Sequence, residues 1–259
     1  RGGFFCAGIF MGIGVVQFKL TQHYLGNAGF APKVSDAERK RGWQIVGIAS
    51  VILVALGALL FTGLIPVQIT RLAQAFGSAM IALAVLFFGY ILLFAKLERV
   101  ERKRVAVIAI FFLCAAIFWA GFEQQATSFN LFAVDFTDRS WIGSWFPEGV
   151  HPASWYQSAN PIFIVLFAPF FAWLWVALGA RNLNPSAPLK FGLGLVLLGM
   201  GFLVMVFAAQ LIVATGNDVA PTWLLFAYLL HTFGELCLSP VGLSNVTKLA
   251  PQRFVGQMM

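Results

Sequence analysis

Glu235 stands in the run His231-Thr-Phe-Gly-Glu-Leu-Cys-Leu-Ser-Pro-Val-Gly-Leu-Ser244, which holds no other acid. His231 lies four residues before it and Ser239 four after, so on an α-helix the three share a face. Pro240 follows; inside a helix it removes one backbone N–H and frees the carbonyl of Leu236. A carboxyl group within an apolar span is costly and by default marks a functional site. The plainer reading is a kink beside a neutral, hydrogen-bonded glutamate. For His231 the plainer reading is helix packing, and the other is a cavity-facing group coupled to Glu235.

A second acid, Glu123, has Trp119 at i−4, Thr127 at i+4 and Asn130 at i+7, with Gln124, Gln125 and Ser128 beside it. On a continuous helix this is a polar stripe, which in a membrane faces a water-filled cavity or another helix. An acid with several amides and hydroxyls favours the cavity, so Gln124, Thr127 and Asn130 are expected to line it. Asn160 precedes Pro161, where an amide serves equally as a cap or as a binding group.

Such groups need apolar elements around them, and the composition supplies these. Charged residues are 10% of the 259 and hydrophobic ones 60%, against roughly 25% charged in soluble domains. The chain reads as an all-α polytopic membrane protein. Apolar runs of the ~20 residues a spanning helix needs fall at about 3–18, 43–60, 73–94, 105–134, 155–178, 191–213 and 222–246. The second and third, joined at Thr62-Gly-Leu-Ile-Pro66, read as a bland helical hairpin. Gly8 and Gly12, and the set Gly192, Gly194, Gly199 and Gly201, suggest close helix packing. Cys6, Cys114 and Cys237 lie in apolar runs without metal-ligand spacing and read as small buried apolar residues. No metal site is expected. The chain starts at Arg1 in an apolar run and ends at Gln257-Met-Met259, and is expected to be a fragment of a longer protein.

The net charge of +7 sits between the apolar runs, which points away from nucleic acid. With seven spans, fourteen of the 17 basic residues fall on one side: those in 19–41 and 96–104, with Arg181, Lys190, Lys248 and Arg253. Arg1, Arg71 and Arg139 fall on the other. The rule that basic loops stay in the cytoplasm then places the first loop and the C-terminal end inside. It places the loop 135–156 outside, with Trp141, Trp145 and Trp155 as an interfacial belt.

Three segments together resemble the bacterial proton-dependent oligopeptide transporters, the POT or PTR family of the major facilitator superfamily. They are Phe118-Trp-Ala-Gly-Phe-Glu-Gln-Gln-Ala-Thr-Ser128, Asn160-Pro-Ile-Phe-Ile164, and Gly234-Glu-Leu-Cys-Leu-Ser-Pro-Val-Gly-Leu-Ser244 with Thr247-Lys-Leu-Ala-Pro251. The resemblance covers essentially the whole chain. It implies a twelve-helix fold of two six-helix bundles, with a two-helix insertion between them. Residues 1–25 would be helix 6, the last of the N-terminal bundle. Residues 26–104 would be a cytoplasmic loop and the inserted hairpin, with spans at about 43–62 and 70–95, and 105–259 would be helices 7 to 10. Helices 1–5 and 11–12 would lie outside this chain.

The resemblance also implies roles. Glu235 would hold a peptide's amino terminus, assisted by Asn160, with Trp119 as pocket wall and Ser239 as a pocket residue. Glu123 would pair with a helix-1 arginine and act in gating or proton coupling, as would Glu235, with His231 a further coupling candidate. The activity implied is symport of di- and tripeptides with protons across a bacterial cytoplasmic membrane, with no cofactor. Two alternatives stay open. One is another small solute such as nitrate, and the other is an integral-membrane enzyme using His231 and Glu235, although no nucleophile elbow, zinc-protease, P-loop or dinucleotide motif occurs.

Overall fold

A computed structural model describes residues 2–25, 35–61, 68–251 and 254–258. Helices are α1 (Gly2–Thr21), α2 (Asp36–Phe61), α3 (Ile69–Phe94), α4 (Arg99–Phe122), α5 (Ser128–Asp135), α6 (Ala159–Ala180), α7 (Ala187–Thr215), α8 (Thr222–Leu249) and the short α9 (Val255–Met258). Among the described residues, seven helical segments are long and apolar enough to cross a membrane. They coincide with the seven apolar runs of the sequence, and the chain is a multi-pass membrane protein. The turn expected at 62–66 and most of the first loop lie outside the described residues.

Helices α2 and α4 begin well before their apolar runs, each for a local reason. At α2 the Ser35 hydroxyl accepts from the Glu38 N–H (3.3 Å), and the Glu38 carboxylate accepts from the Ser35 N–H (3.1 Å). This reciprocal capping box turns the charge run 36–41 into helix rather than loop. At α4 the Glu101 carboxylate accepts from the Glu98 N–H (3.1 Å), which carries 99–104 into the helix.

The residues divide into two compact units, Arg1–Gly77 and Ser78–Met259. In the first, the described side chains of α1 and α2 are exposed and mostly apolar, as lipid-facing or partner-facing helices are. Gly8, Gly12 and Gly14 face open space there, and Cys6 is exposed rather than buried. The second unit holds the core. Its buried residues include Phe118, Phe129, Leu224 and Tyr228. Cys237 is buried as expected and Cys114 partly so.

The tightest crossing in this unit joins α7 to α8. A Cβ on Gly194 would come 2.9 Å from the Gly234 carbonyl oxygen, and a Cβ on Gly234 would come 2.8 Å from that of Gly194. Each glycine exists because the other helix's backbone occupies the space. Gly192 and Gly199 have nothing within 4 Å, so only part of the glycine set serves packing. Gly194→Ala or Gly234→Ala is expected to cost about 1–3 kcal/mol, because backbone cannot step aside. Gly199→Ala on the same helix should cost nothing comparable. Thermal unfolding of the detergent-solubilised protein reads the contrast, and equal melting of Gly194→Ala and Gly199→Ala would refute this packing argument.

The end of the unit that carries the Trp-rich loop is fixed by polar contacts. Thr137 and Val219 form a parallel bridge, with Asp138 N–H donating to the Val219 carbonyl (2.9 Å) and Val219 N–H to that of Phe136 (3.0 Å). Buried His151 bonds the Arg139 carbonyl (2.8 Å) and the Tyr156 hydroxyl (2.9 Å). Asp138 lies in this loop, where the hydroxyl and N–H of Ser140 hold its carboxyl below the usual aspartate range. Trp141, Trp145 and Trp155 are all exposed.

Candidate functional site

Helix α8 runs uninterrupted through Pro240 and presents Tyr228, His231, Thr232, Glu235 and Ser239 within three turns. Its core-facing side is deeply buried, and His231 and Thr232 have no exposed surface at all. The carboxylate of Glu235 is half-buried.

Helix α6 brings the partner. The Asn160 Nδ2 amide donates one hydrogen to Glu235 Oε2 (3.1 Å) and the other to Thr232 Oγ1 (3.1 Å). The Thr232 hydroxyl donates its own proton to the Tyr228 carbonyl one turn back (2.8 Å), so its oxygen is free to accept. Asn160 is therefore a clamp across helices rather than a cap: it sits inside α6, and no side chain caps that helix. Among the described residues no basic side chain pairs with Glu235. A carboxylate held by neutral donors alone in a low-dielectric setting retains a strong preference for a cation.

Trp119 and Ser239 share the wall of one cleft of about 240 Å³ that also touches Phe111, Phe191 and Leu238. The structure thus brings the sequence candidates together in two groups, Asn160 with Glu235 and Trp119 with Ser239.

The polar stripe differs from its expected form. Helix α4 ends at Phe122, residues Glu123–Ala126 form a 3₁₀ turn, and Thr127 (φ −115°, ψ −87°) separates it from α5. Trp119, Glu123, Thr127 and Asn130 therefore do not lie on one continuous α-helix. The cause is local competition for hydrogen bonds. Gln124 Oε1 accepts from the hydroxyls of Ser128 (2.8 Å) and Thr127 (3.2 Å), and these bonds favour a turn over a helix. Glu123 and Thr127 are exposed, Gln124 is half-exposed, and Asn130 Oδ1 is buried with no hydrogen-bond partner.

His231 does not reach Glu235. Its Nε2 faces the Leu198 carbonyl (3.2 Å) and its Nδ1 the Gln125 Nε2 amide (3.1 Å). Both ring nitrogens are engaged, which leaves none for an acid–base pair with the glutamate.

Three contributors escaped the sequence reading. Thr232 sits three residues before Glu235, and a same-face rule finds it. Gln125 was visible in the polar run, but its burial was not. Tyr228, whose hydroxyl donates to the Gln125 carbonyl (3.1 Å), needed the tertiary structure.

Residues 2–259 match the POT family. The chain is 39% identical over 252 residues to the peptide transporter YePEPT of Yersinia enterocolitica subsp. palearctica, covering 97% of this chain and 48% of that protein. It is 35% identical over 258 residues to a di-/tripeptide transporter of Lactococcus lactis subsp. cremoris, covering 95% and 50%. Among solved structures, the peptide transporter POT in complex with sulfate aligns with a TM-score of 0.77 at 35% identity, over 99% of this chain and 51% of the other. The chain spans about half the length of the relatives it matches.

Proposed function

The chain belongs to the POT family, and from that membership and the Asn160–Glu235 clamp we propose that it forms part of a symporter importing di- and tripeptides with protons. The observation that carries the reading is the half-buried Glu235 carboxylate, held by one amide and paired with no cation among the described residues. Such a group suits the ammonium end of a peptide. The names of the relatives, two of them peptide transporters, agree.

In this reading Glu235 receives the peptide amine and Asn160 orients the carboxylate through a hydrogen bond that survives loading. Trp119 and Ser239 form a wall of the peptide pocket. Gln124, Thr127 and Asn130 line the aqueous cavity; the unpartnered Asn130 oxygen is a ready acceptor for water. Glu123, exposed at the start of the 3₁₀ turn, is the gating and proton-coupling acid, and its arginine partner lies in helices outside this chain. Those helices, 1–5 and 11–12, complete the cavity, while residues 1–25 act as helix 6, 26–104 as loop and inserted hairpin, and 105–259 as helices 7–10. Protons are the coupling ion, no cofactor is needed, and the site of action is a bacterial cytoplasmic membrane. Access alternates as the two bundles rock about the pocket.

A nitrate carrier fits less well, since a carboxylate in the pocket repels an anion. An enzymatic His231–Glu235 pair is disfavoured because both imidazole nitrogens are bonded elsewhere. The test is uptake by the full-length protein in liposomes, acidic outside and negative inside. Labelled dialanine should accumulate, a protonophore should abolish the accumulation, and nitrate should not compete. Accumulation indifferent to the protonophore, or competition by nitrate, would overturn the proposal.

A further inference from the structure

The break after Phe122 leaves polar groups that a continuous helix would have satisfied. In an α-helix the Gln125 carbonyl would accept from an N–H four residues on. With the chain turned at Thr127, the Tyr228 hydroxyl fills this need from α8 (3.1 Å). His231, three residues further along α8 and on the same face, takes the Gln125 side chain (3.1 Å). Helix α8 thus grips one residue of the 3₁₀ turn at both its backbone and its side chain.

The chemistry fixes the state of the imidazole. The Leu198 carbonyl can only accept, so Nε2 carries the proton. Nδ1 presents its lone pair to the Gln125 amide N–H. In this arrangement the ring is neutral, and a second proton on Nδ1 would require the Gln125 amide to turn its oxygen toward the ring. The ring is held in plane by Phe129 (centroids 5.4 Å apart, 29° between planes) and flanked by Phe202 (5.1 Å). It reaches α7 because residue 201 is glycine; a Cβ there would collide with Cδ2 and Nε2 of the imidazole.

Two acids flank this bridge. Glu123 lies two residues before Gln125 on the turn. Glu235 lies one turn after His231 on α8. The mechanism proposed above leaves His231 without a role, yet it has no exposed surface and spends both nitrogens on joining the segments that carry those acids. We infer that His231 is a positioning residue, a neutral strut that fixes the Glu123 turn against the Glu235 helix, so that the proton-coupling and amine-binding groups keep a set separation through the cycle. This rests on the transport reading. It assigns His231 neither proton carriage nor substrate contact.

The inference separates two kinds of transport. Proton-driven uptake needs Glu123 correctly placed, whereas exchange of labelled for unlabelled dipeptide across a liposome without a gradient needs only the peptide pocket and its alternation. In the full-length transporter, His231→Ala should lower proton-driven uptake about tenfold while exchange per folded molecule stays within about twofold, the loss expected of two buried hydrogen bonds that act on position alone. His231→Asn, whose Oδ1 can still accept from Gln125, should recover most of the proton-driven rate. Tyr228→Phe removes only the other grip and should show a smaller loss of the same selective kind.

Equal loss in both modes would make His231 a packing residue, and no loss in either would leave it without a role; both results overturn the inference. Should His231→Ala fail to yield monodisperse protein, His231→Asn and Tyr228→Phe carry the same contrast, and parallel loss in both modes overturns it again. The wild type serves as the separate control. If it shows no proton-driven dipeptide uptake, the transport reading has failed and not the strut.

Discussion

Glu235→Gln is expected to raise the dipeptide concentration for half-maximal uptake about 100-fold, because it removes one partner of an ion pair formed out of water. The substitution is nearly isosteric. The glutamine oxygen can still accept from Asn160 Nδ2, which bonds Glu235 Oε2 at 3.1 Å, and the Asn160–Thr232 bond is untouched. The clamp between α6 and α8 therefore persists, and thermal stability should change by less than about 1 kcal/mol. What disappears is the negative charge alone. The peptide amine then enters a low-dielectric pocket with only neutral acceptors. Full-length transporter in liposomes, assayed by gradient-free exchange over a range of dialanine concentrations, gives the number. A variant with wild-type half-saturation would remove Glu235 from the amine site and with it the main support for the peptide reading.

That acid was visible in the sequence because a membrane makes carboxyl groups conspicuous. The seven spans were visible for the same reason: lipid demands unbroken apolar runs, and no tertiary context overrides that demand. The starts of α2 and α4 were also within reach, since Ser35 with Glu38 and Glu98 with Glu101 stand at capping-box spacing. The pairing of Asn160 with Glu235 is different in kind. Seventy-five residues separate them, and no periodicity links α6 to α8. Only the resemblance to a known family suggested that they act together.

The break at Glu123 was only partly legible. The polar run from Glu123 to Ser128 is compatible with a continuous helix. The local bonds of Gln124 to Thr127 and Ser128 favour the turn, and Tyr228 and His231, over 100 residues away, hold Gln125 once the chain has turned. The glycines show the same limit. Gly194 and Gly199 look alike in sequence, but only Gly194 faces a backbone.

Glu123→Gln is the complementary experiment, and it should abolish accumulation while sparing exchange. Glu123 is exposed at the first position of the 3₁₀ turn, and no ion pair or side-chain hydrogen bond anchors it among the described residues. Its backbone N–H bonds the Gly121 and Trp119 carbonyls, which glutamine preserves. The turn and the His231–Gln125 bridge should survive, and only the titratable group is lost. One pH unit is worth 1.36 kcal/mol per proton, so a gradient of about two units can drive roughly 100-fold accumulation of peptide with one coupled proton. Without a group that takes up and releases the proton, that ratio should fall to about one, the value for passive equilibration. Exchange, which needs no net proton movement, should persist. The two glutamate variants thus separate the two jobs: Glu235→Gln weakens binding in both modes, and Glu123→Gln removes the drive and leaves binding. If Glu123→Gln still accumulated dialanine against a gradient, the proton would be carried by Glu235 or by groups outside this chain, and Glu123 would be left with gating alone.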